Sequence, residues 1–119
     1  MRVLIADDHR LFAEALRAIL GGDRRIAVVG LAASGSEAVE KASELEPDVI
    51  LMDIDMPGLN GVEATREILA NQKNVQVLIV TGSDSRQDVD AARSAGAAGY
   101  ITKDKIAAEL IGAILGSAP

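Results

Sequence analysis

The sequence predicts an α/β protein with a doubly wound, five-stranded parallel sheet of order 2-1-3-4-5 and helices on both faces. Short apolar runs recur at residues 3–6, 26–31, 49–52, 75–80 and 100–101. Continuous apolar runs of this length are typical of strands buried on both faces. Segments of helical period separate the runs, and strict strand–helix alternation implies parallel strands with right-handed crossovers. The order 2-1-3-4-5 is the commonest five-stranded version of this arrangement.

Three helices are predicted by apolar residues that recur on one helical face. These faces comprise Phe12, Leu16, Ile19 and Leu20; Ala38, Ala42 and Leu45; and Ile106, Leu110 and Ile114. The second and third of the five helices are also marked at their starts, because Ser34 with Glu37 and Asn60 with Glu63 have the spacing of a capping box. Pro47 supplies a stop after the second helix.

The fourth helix, over residues 86–95, has the weakest pattern. Val89 is its one large apolar residue, and the rest of its buried face would consist of Ala92 and Ala95. Gly96 supplies its stop. We therefore expect this helix to move most easily.

Composition indicates one cytoplasmic domain. The chain has 119 residues, enough for a single core, and it has no cysteine for disulfides or thiolate metal sites. Apolar residues make up 49% and aromatic residues 2%, so the core must be aliphatic. The net charge of −6 argues against binding of nucleic acid by this segment. No apolar run approaches the roughly 20 residues that span a bilayer, so we expect no membrane contact.

Polar residues stand where the predicted strands end. Asp7 and Asp8 follow the first strand, Asp53 follows the third, Thr81 follows the fourth and Lys103 follows the fifth. Ligands of doubly wound sheets bind beyond the carboxyl ends of the strands. The sequence therefore predicts a site of three carboxylates, a hydroxyl and an ammonium at one edge of the sheet.

This set of side chains predicts Mg²⁺-dependent phosphoryl chemistry. Each close pair of carboxylates repels by ~4 kcal/mol at an effective dielectric of about 20, and Lys103 supplies only one positive charge. Mg²⁺ prefers oxygen ligands and binds one or two carboxylates together with a phosphate. The protein contributes mainly position and charge to phosphoryl transfer. Asp53, alone at the end of the central strand, is the predicted nucleophile.

Four segments resemble the landmark segments of two-component receiver domains. They are residues 4–9 (LIADDH), 51–61 (LMDIDMPGLNG), 80–82 (VTG) and 99–103 (GYITK), and the resemblance spans essentially the whole chain. It implies a flavodoxin-like fold, Mg²⁺ as cofactor and a sensor histidine kinase as partner. It also implies a phosphorylation switch that catalyses its own phosphoryl transfer and dephosphorylation rather than a turnover enzyme.

The resemblance assigns the metal site. Asp53 is the phosphoacceptor, Asp8 and the Asp53 carboxylate ligate Mg²⁺, and Asp7 assists. The backbone carbonyl of Asp55 is a further ligand. His9 is interpreted as a solvated residue, because imidazole is a poor ligand for Mg²⁺.

The resemblance also assigns the switch. Thr81 resembles the hydroxyl that closes on the phosphate, Lys103 the lysine that pairs with it, and Tyr100 the aromatic residue whose rotamer reports that closure. Gly82 leaves room for the phosphoryl donor. Asp104 stands where receivers often have a proline after a cis bond, so the isomer of the Lys103–Asp104 bond is left open.

Within receivers, the Asp-Asp-His segment at 7–9 and the Gly-Tyr-Ile-Thr-Lys-Asp segment at 99–104 are similar to the NarL/FixJ subfamily. Members of that subfamily usually carry a C-terminal LuxR-type helix-turn-helix domain. The resemblance thus implies a transcription regulator that contacts DNA through a domain not in this sequence, with residues 1–119 as its receiver. A homodimer is left open.

Alternative interpretations remain for the same residues. The Asp-x-Asp at 53–55 also resembles haloacid-dehalogenase-type phosphatases, although there it follows the first strand rather than the third. A nucleotide- or flavin-binding module is a second alternative, but no Gly-rich phosphate loop follows the first strand and aromatic residues are rare. Taken singly, Asp7 and Asp8 would also suit an N-cap of the first helix.

Overall fold

Five strands alternate with five helices in a computed structural model of the chain, which describes residues 1–82 and 85–116. The strands are β1 (Arg2–Ala6), β2 (Ala27–Ala32), β3 (Val49–Met52), β4 (Gln76–Thr81) and β5 (Gly99–Thr102). The helices are α1 (Arg10–Gly21), α2 (Gly35–Leu45), α3 (Gly61–Asn71), α4 (Arg86–Ala95) and α5 (Ile106–Gly116), and a short 3₁₀ turn (Lys103–Lys105) precedes α5. Across the described ranges, no helix is both long enough and apolar enough to cross a bilayer.

The sheet has the predicted topology. Its strands lie in the order β2-β1-β3-β4-β5, and every neighbouring pair is parallel. The predicted fold class is confirmed, and each strand end lies within one residue of the predicted position. Because all strands run in the same direction, their carboxyl ends lie along one edge, with β1 and β3 adjacent at the reversal of strand order.

Successive side chains along each strand point to opposite faces of the sheet, and each face has one apolar cluster. In β1, Leu4 and Ala6 belong to one cluster, whereas Val3 and Ile5 belong to the other. The first cluster, called the α2–α4 cluster, includes the helix residues Ala38, Ala42, Ala64, Ile68 and Ala92. The second cluster, called the α1–α5 cluster, includes the helix residues Ala13, Leu16, Leu20, Ile106, Leu110 and Ile114. Helices therefore cover both faces, as predicted.

One of the two predicted capping boxes is complete. At the start of α3, the Asn60 side chain accepts from the Glu63 N–H, and the Glu63 carboxylate accepts from the Asn60 N–H. At the start of α2, the Ser34 hydroxyl accepts from the Glu37 N–H at 3.1 Å. The Glu37 carboxylate, however, accepts from the N–H of Ala33, one residue earlier than a capping box requires. Both caps still satisfy amides that the helix itself leaves without a partner.

Ile19 corrects the predicted core face of α1. This side chain was expected to lie with Leu16 and Leu20, but it is 49% exposed. The buried residues of α1 are Ala13, Leu16 and Leu20. The helix contacts the sheet along the stripe through Ala13, which leaves Ile19 on the flank toward solvent.

The small contact face of α4 is as predicted. Its buried residues are Ala92 and Ala95, and Val89 is only partly buried. The helix ends at Gly96, whose φ of 102° is a left-handed conformation that favours glycine. Few apolar atoms therefore hold α4 against the sheet.

Candidate functional site

The two central strands place a pair of buried carboxylates side by side. Ala6 of β1 pairs with Met52 of β3, so the next residues, Asp7 and Asp53, leave the sheet together. The Asp7 N–H donates to the carbonyl of Ala32 and the Asp53 N–H donates to that of Ala6, each at 2.9 Å. The exposed fractions of Asp7 and Asp53 are only 4% and 3%. Backbone bonds of the sheet thus fix both acids at its edge.

The neighbouring strands add a hydroxyl and an ammonium. Thr81 ends β4 opposite Thr102 of β5, and Lys103 follows directly. Thr81 is fully buried, and its hydroxyl acts to lower the pKa of the Asp53 carboxyl. The Lys103 Nζ lies 3.1 Å from Asp7 Oδ2 and 3.8 Å from Asp53 Oδ2. The structure thus brings together side chains from four strand ends.

Asp8 and His9 complete the cluster on the solvent side. Ligand atoms of Asp7, Asp8, His9 and Asp53 all lie within 4.8 Å of one another. The His9 N–H donates to Asp7 Oδ1 at 2.8 Å, and His9 Nδ1 lies 3.1 Å from the same oxygen and 3.3 Å from Asp8 Oδ1. Sequence reasoning missed these contacts; the one signal for them is that His9 directly follows the acidic pair.

The capping interpretation of the acidic pair is wrong. The N-cap of α1 is His9, and no side chain caps this helix. Asp7 instead accepts from the backbone of His9, two residues ahead, which is an Asx-type turn. Neither carboxylate caps α1, and both belong to the cluster with Asp53.

The donor chemistry of this cluster fits a hard divalent cation. Asp7 Oδ2 is buried and has no hydrogen bond of acceptable geometry among the described residues, although Lys103 Nζ lies 3.1 Å away. The lysine therefore supplies charge to this oxygen without a directed hydrogen bond. Burying a carboxylate oxygen without a hydrogen bond costs free energy of folding. Carboxylate oxygens are the ligands that Mg²⁺ prefers, so the residues present fit this ion.

The electrostatics of Asp53 favour an added cation. Burial raises the pKa of Asp53, and the nearby charge of Asp7 raises it further. The Lys103 ammonium, the Thr81 hydroxyl and the Asp55 N–H act in the opposite direction. The ionised carboxylate, which is the form a nucleophile needs, is thus held at a cost that a bound cation would reduce.

The loop between β3 and α3 folds back on the Asp53 backbone. The carbonyl of Ile54 accepts from the N–H groups of Met56 and Gly61 at 3.0 and 2.9 Å. A Cβ on Gly61 would collide with the carbonyl oxygen of Asp53, so this close approach requires glycine. Asp55 is exposed, and its backbone N–H contacts the Asp53 carboxylate. The role of its carbonyl as a metal ligand stays a prediction.

Tyr100 of β5 lies beside open space. It is partly buried against the α2–α4 cluster. With Val89 and Ala92 of α4 it lines a cavity of about 120 Å³. The switch role of Tyr100 stays a prediction. The Lys103–Asp104 peptide bond, which the sequence left open, is trans.

Comparison with known protein families identifies the family of this chain. A family model described as the response regulator receiver domain matches residues 3–115. The chain belongs to the response regulator receiver family. This receiver is therefore a signalling component of a two-component system, and response regulators are partnered by sensor histidine kinases. Receiver domains generally bind Mg²⁺ at an acidic pocket.

Individual relatives support the NarL/FixJ subfamily. The response regulator GacA of Pseudomonas viridiflava is 43% identical over 114 residues, which are 96% of this chain and 53% of that protein. The receiver domain of the response regulator NarL from Mycobacterium tuberculosis has a TM-score of 0.92 and 34% identity, covering 97% of this chain and 93% of that one. CheY of Borrelia burgdorferi, in a complex with CheX, has a TM-score of 0.90 and 26% identity, covering 98% and 87%.

The receiver spans about half the length of the curated relatives it matches. The match over residues 3–115 also decides against the phosphatase and nucleotide-binding alternatives. The structure agrees, because the Asp-x-Asp at 53–55 follows β3 and not the first strand.

Proposed function

We propose that Asp53 of this receiver accepts a phosphoryl group from a sensor histidine kinase in a Mg²⁺-dependent reaction. The observation that carries the proposal is the buried Asp53 carboxylate, which interacts with the Thr81 hydroxyl and lies 3.8 Å from the Lys103 Nζ. A nucleophile, a hydrogen-bond donor and a cation are thus present at one point of the sheet edge. Phosphoryl transfer requires this combination of position and charge.

In the proposed step, an ionised oxygen of Asp53 attacks the phosphorus of a phosphohistidine or of a small acyl phosphate. The P–O bond to Asp53 forms while the bond from phosphorus to the donor breaks. The donor leaves with the electron pair, and a departing imidazole takes a proton from solvent. The same residues of the receiver catalyse the later loss of the phosphoryl group to water, without turnover of any other substrate.

Asp7, Asp8, Asp53 and the backbone carbonyl of Asp55 are the proposed holders of Mg²⁺. When bound, the cation neutralises charge on the phosphoryl oxygens and on the carboxylates. The Borrelia CheX–CheY complex contains beryllofluoride and Mg²⁺, which supports Mg²⁺ as the cofactor of a similar fold. Lys103 would then exchange part of its contact with Asp7 for the phosphoryl oxygens.

Phosphorylation adds charge and acceptor oxygens at Asp53, and Thr81 and Lys103 turn to pair with them. We propose that α4 is the element whose equilibrium this pairing biases, because its apolar contact face is small. Tyr100 would move into the cavity that it shares with α4. The outer surface of α4 and β5 would thereby differ between the two states.

The output proposed for the parent protein is transcriptional. Since this receiver spans about half the length of its curated relatives, we propose a C-terminal helix-turn-helix domain as the DNA-binding part. The receiver itself, with a net charge of −6, would regulate that domain rather than contact DNA. A cytoplasmic location and a homodimer belong to the same proposal.

The test is intact mass after incubation with Mg²⁺ and acetyl phosphate. We expect wild type to gain one phosphoryl group, Asp53→Asn to gain none, and EDTA to abolish the gain. Asp90→Asn, which removes an exposed carboxylate of α4, is the matched control and should be phosphorylated like wild type. If wild type gains no mass and beryllofluoride with Mg²⁺ does not bind either, the proposed function is wrong.

A further inference from the structure

The ammonium of Lys103 lies close to both an aromatic ring and the acidic cluster. Its Nζ lies 4.1 Å from the centroid of the Phe12 ring. The same nitrogen lies 3.1 Å from Asp7 Oδ2 and 3.8 Å from Asp53 Oδ2. A cation within about 6 Å of a ring centroid is attracted by the negative face of the ring. Phe12 and the two acids therefore all contact the ammonium of Lys103.

Phe12 is anchored where it can fix the position of a neighbour. It lies in the first turn of α1 and packs, partly buried, against the α1–α5 cluster. The backbone of this turn is connected to the acidic pair, because the carbonyl of His9 accepts from the Ala13 N–H at 3.0 Å. The ring thus has a fixed relation to the carboxyl end of β1.

Packing alone does not require an aromatic ring at this place. The chain contains one Phe and one Tyr, and the α1–α5 cluster of the described residues is otherwise aliphatic. A leucine would bury a similar apolar surface against the same neighbours. What only an aromatic side chain supplies is the negative face that Lys103 contacts.

The carboxylates by themselves restrain the position of the Lys103 ammonium only weakly. Its contact with buried Asp7 Oδ2 is not a hydrogen bond of acceptable geometry, and the distance to Asp53 is that of an ion pair. The lysine side chain is 25% exposed and has a flexible four-carbon stem. The contact with the Phe12 ring adds a further restraint on the position of the ammonium.

We propose that Phe12 is a positioning residue: its ring face holds the Lys103 ammonium toward Asp7 and Asp53 so that it meets the incoming phosphoryl group. This inference rests on the proposed function for its consequence, but the contact itself is a property of the unligated protein. Phe12 acts only through Lys103 and does not touch the phosphoryl group.

The contact is tested first without any ligand. In ¹H–¹³C NMR spectra, the ε-methylene protons of Lys103 should be shifted upfield by the ring current in wild type and in Phe12→Tyr. Phe12→Leu should return them to the position of the other lysines. Lysine signals without an upfield shift in folded wild type would overturn the inference, whatever the phosphorylation results.

The consequence is tested by the affinity for beryllofluoride at saturating Mg²⁺, measured by calorimetry. Phe12→Leu should weaken binding about fivefold, equivalent to about 1 kcal/mol, whereas Phe12→Tyr should retain wild-type affinity. Phe12→Met, which also fills the space without a ring, replaces Phe12→Leu if that variant does not fold. Leu20→Val, which trims the buried far end of α1, is the packing control and should lower stability but not affinity.

A double-mutant cycle separates positioning from general damage to the site. In the Lys103→Met background, Phe12→Leu should cause no further loss of affinity, because the group it positions is gone. An equal loss in both backgrounds would overturn the inference and assign the effect to packing. Wild type that shows the ring-current shift but binds no beryllofluoride would instead overturn the proposed function, and with it the consequence claimed for Phe12.

Discussion

The carboxylate of Asp53 is buried and lies close to a second negative charge. Asp7 lies beside it at the sheet edge, and both effects raise the pKa of Asp53. Lys103, Thr81 and the Asp55 N–H reduce that elevation but do not cancel it. The folded chain therefore carries an unfavourable electrostatic free energy at this residue, and removal of the charge should reveal it.

In EDTA at neutral pH, Asp53→Asn should raise the melting temperature. A carboxyl whose pKa is higher in the folded state binds more protons there, so stability falls as pH rises from the unfolded pKa, about 3.9, to the folded pKa. The increase in stability of Asp53→Asn should therefore shrink as the pH falls toward the unfolded pKa. Each unit by which the folded pKa is raised corresponds to about 1.4 kcal/mol of stability. Thermal unfolding at several pH values measures it. A gain independent of pH would contradict this explanation.

Gly61 tests the close approach of α3 to the Asp53 backbone. Gly61→Ala should cost about 1–3 kcal/mol, because the Cβ collides with the Asp53 carbonyl and forces the loop to move. Phosphorylation should fall in the same variant. Urea denaturation gives the free energy of unfolding. The matched control is Gly112→Ala in α5, where nothing lies within 4 Å of the new Cβ, and it should stabilise by about 1 kcal/mol.

At the scale of elements, two helices end in the same left-handed backbone conformation but with different residues. Glu46 ends α2 with a φ of 47°, a left-handed conformation that disfavours side chains, whereas α4 ends at Gly96 with a φ of 102°. We expect Glu46→Gly to stabilise by about 0.5–1 kcal/mol, since relief of strain exceeds the added entropy of the unfolded chain.

The reciprocal change at the end of α4 is the control for Glu46→Gly. Gly96→Ala should destabilise by about 1–2 kcal/mol, because its Cβ would also lie 2.8 Å from Leu69 Cδ1. Both variants can be compared by urea denaturation. Equal effects of the two substitutions would show that backbone conformation does not decide the stability of these termini.

Helix α4 is the element that we expect to respond to phosphorylation. Thr81→Ala should still be phosphorylated, but the change in amide exchange of α4 on phosphorylation should be smaller than in wild type, because the hydroxyl that couples them is missing. Thr102→Ala, at the paired end of β5, is the control and should respond fully. A full wild-type change in Thr81→Ala would disprove the coupling.

For the whole molecule, Mg²⁺ binding should appear as stability. An ion that binds only the folded chain stabilises it by about 2.7 kcal/mol at 100 times its dissociation constant. Thermal unfolding followed by circular dichroism should show this increase, and Asp8→Asn should require more Mg²⁺ to reach it. NaCl at matched ionic strength controls for screening of the charge of −6. An unchanged Mg²⁺ titration in Asp8→Asn would remove Asp8 from the ligands.

The sequence by itself determined the order of the elements, the topology class and the acids at the strand ends. These features follow from short-range rules: apolar runs bury strands on both faces, and the capping residue Asn60 starts α3. The parallel sheet then brings strand ends together, so the proximity of Asp7, Asp53 and Lys103 was predictable without coordinates.

Only the tertiary structure decided how side chains of separate elements meet. The rotation of α1 exposed Ile19, and the turn before α1 brought His9 against Asp7. The contact of the Phe12 ring with Lys103 depends on the packing of α1 on the same face of the sheet as α5. Phe12 and Lys103 are far apart in the chain, so no spacing in the sequence encodes their contact. Their distances are set by close packing of the whole core, which is fixed only when all elements are in place.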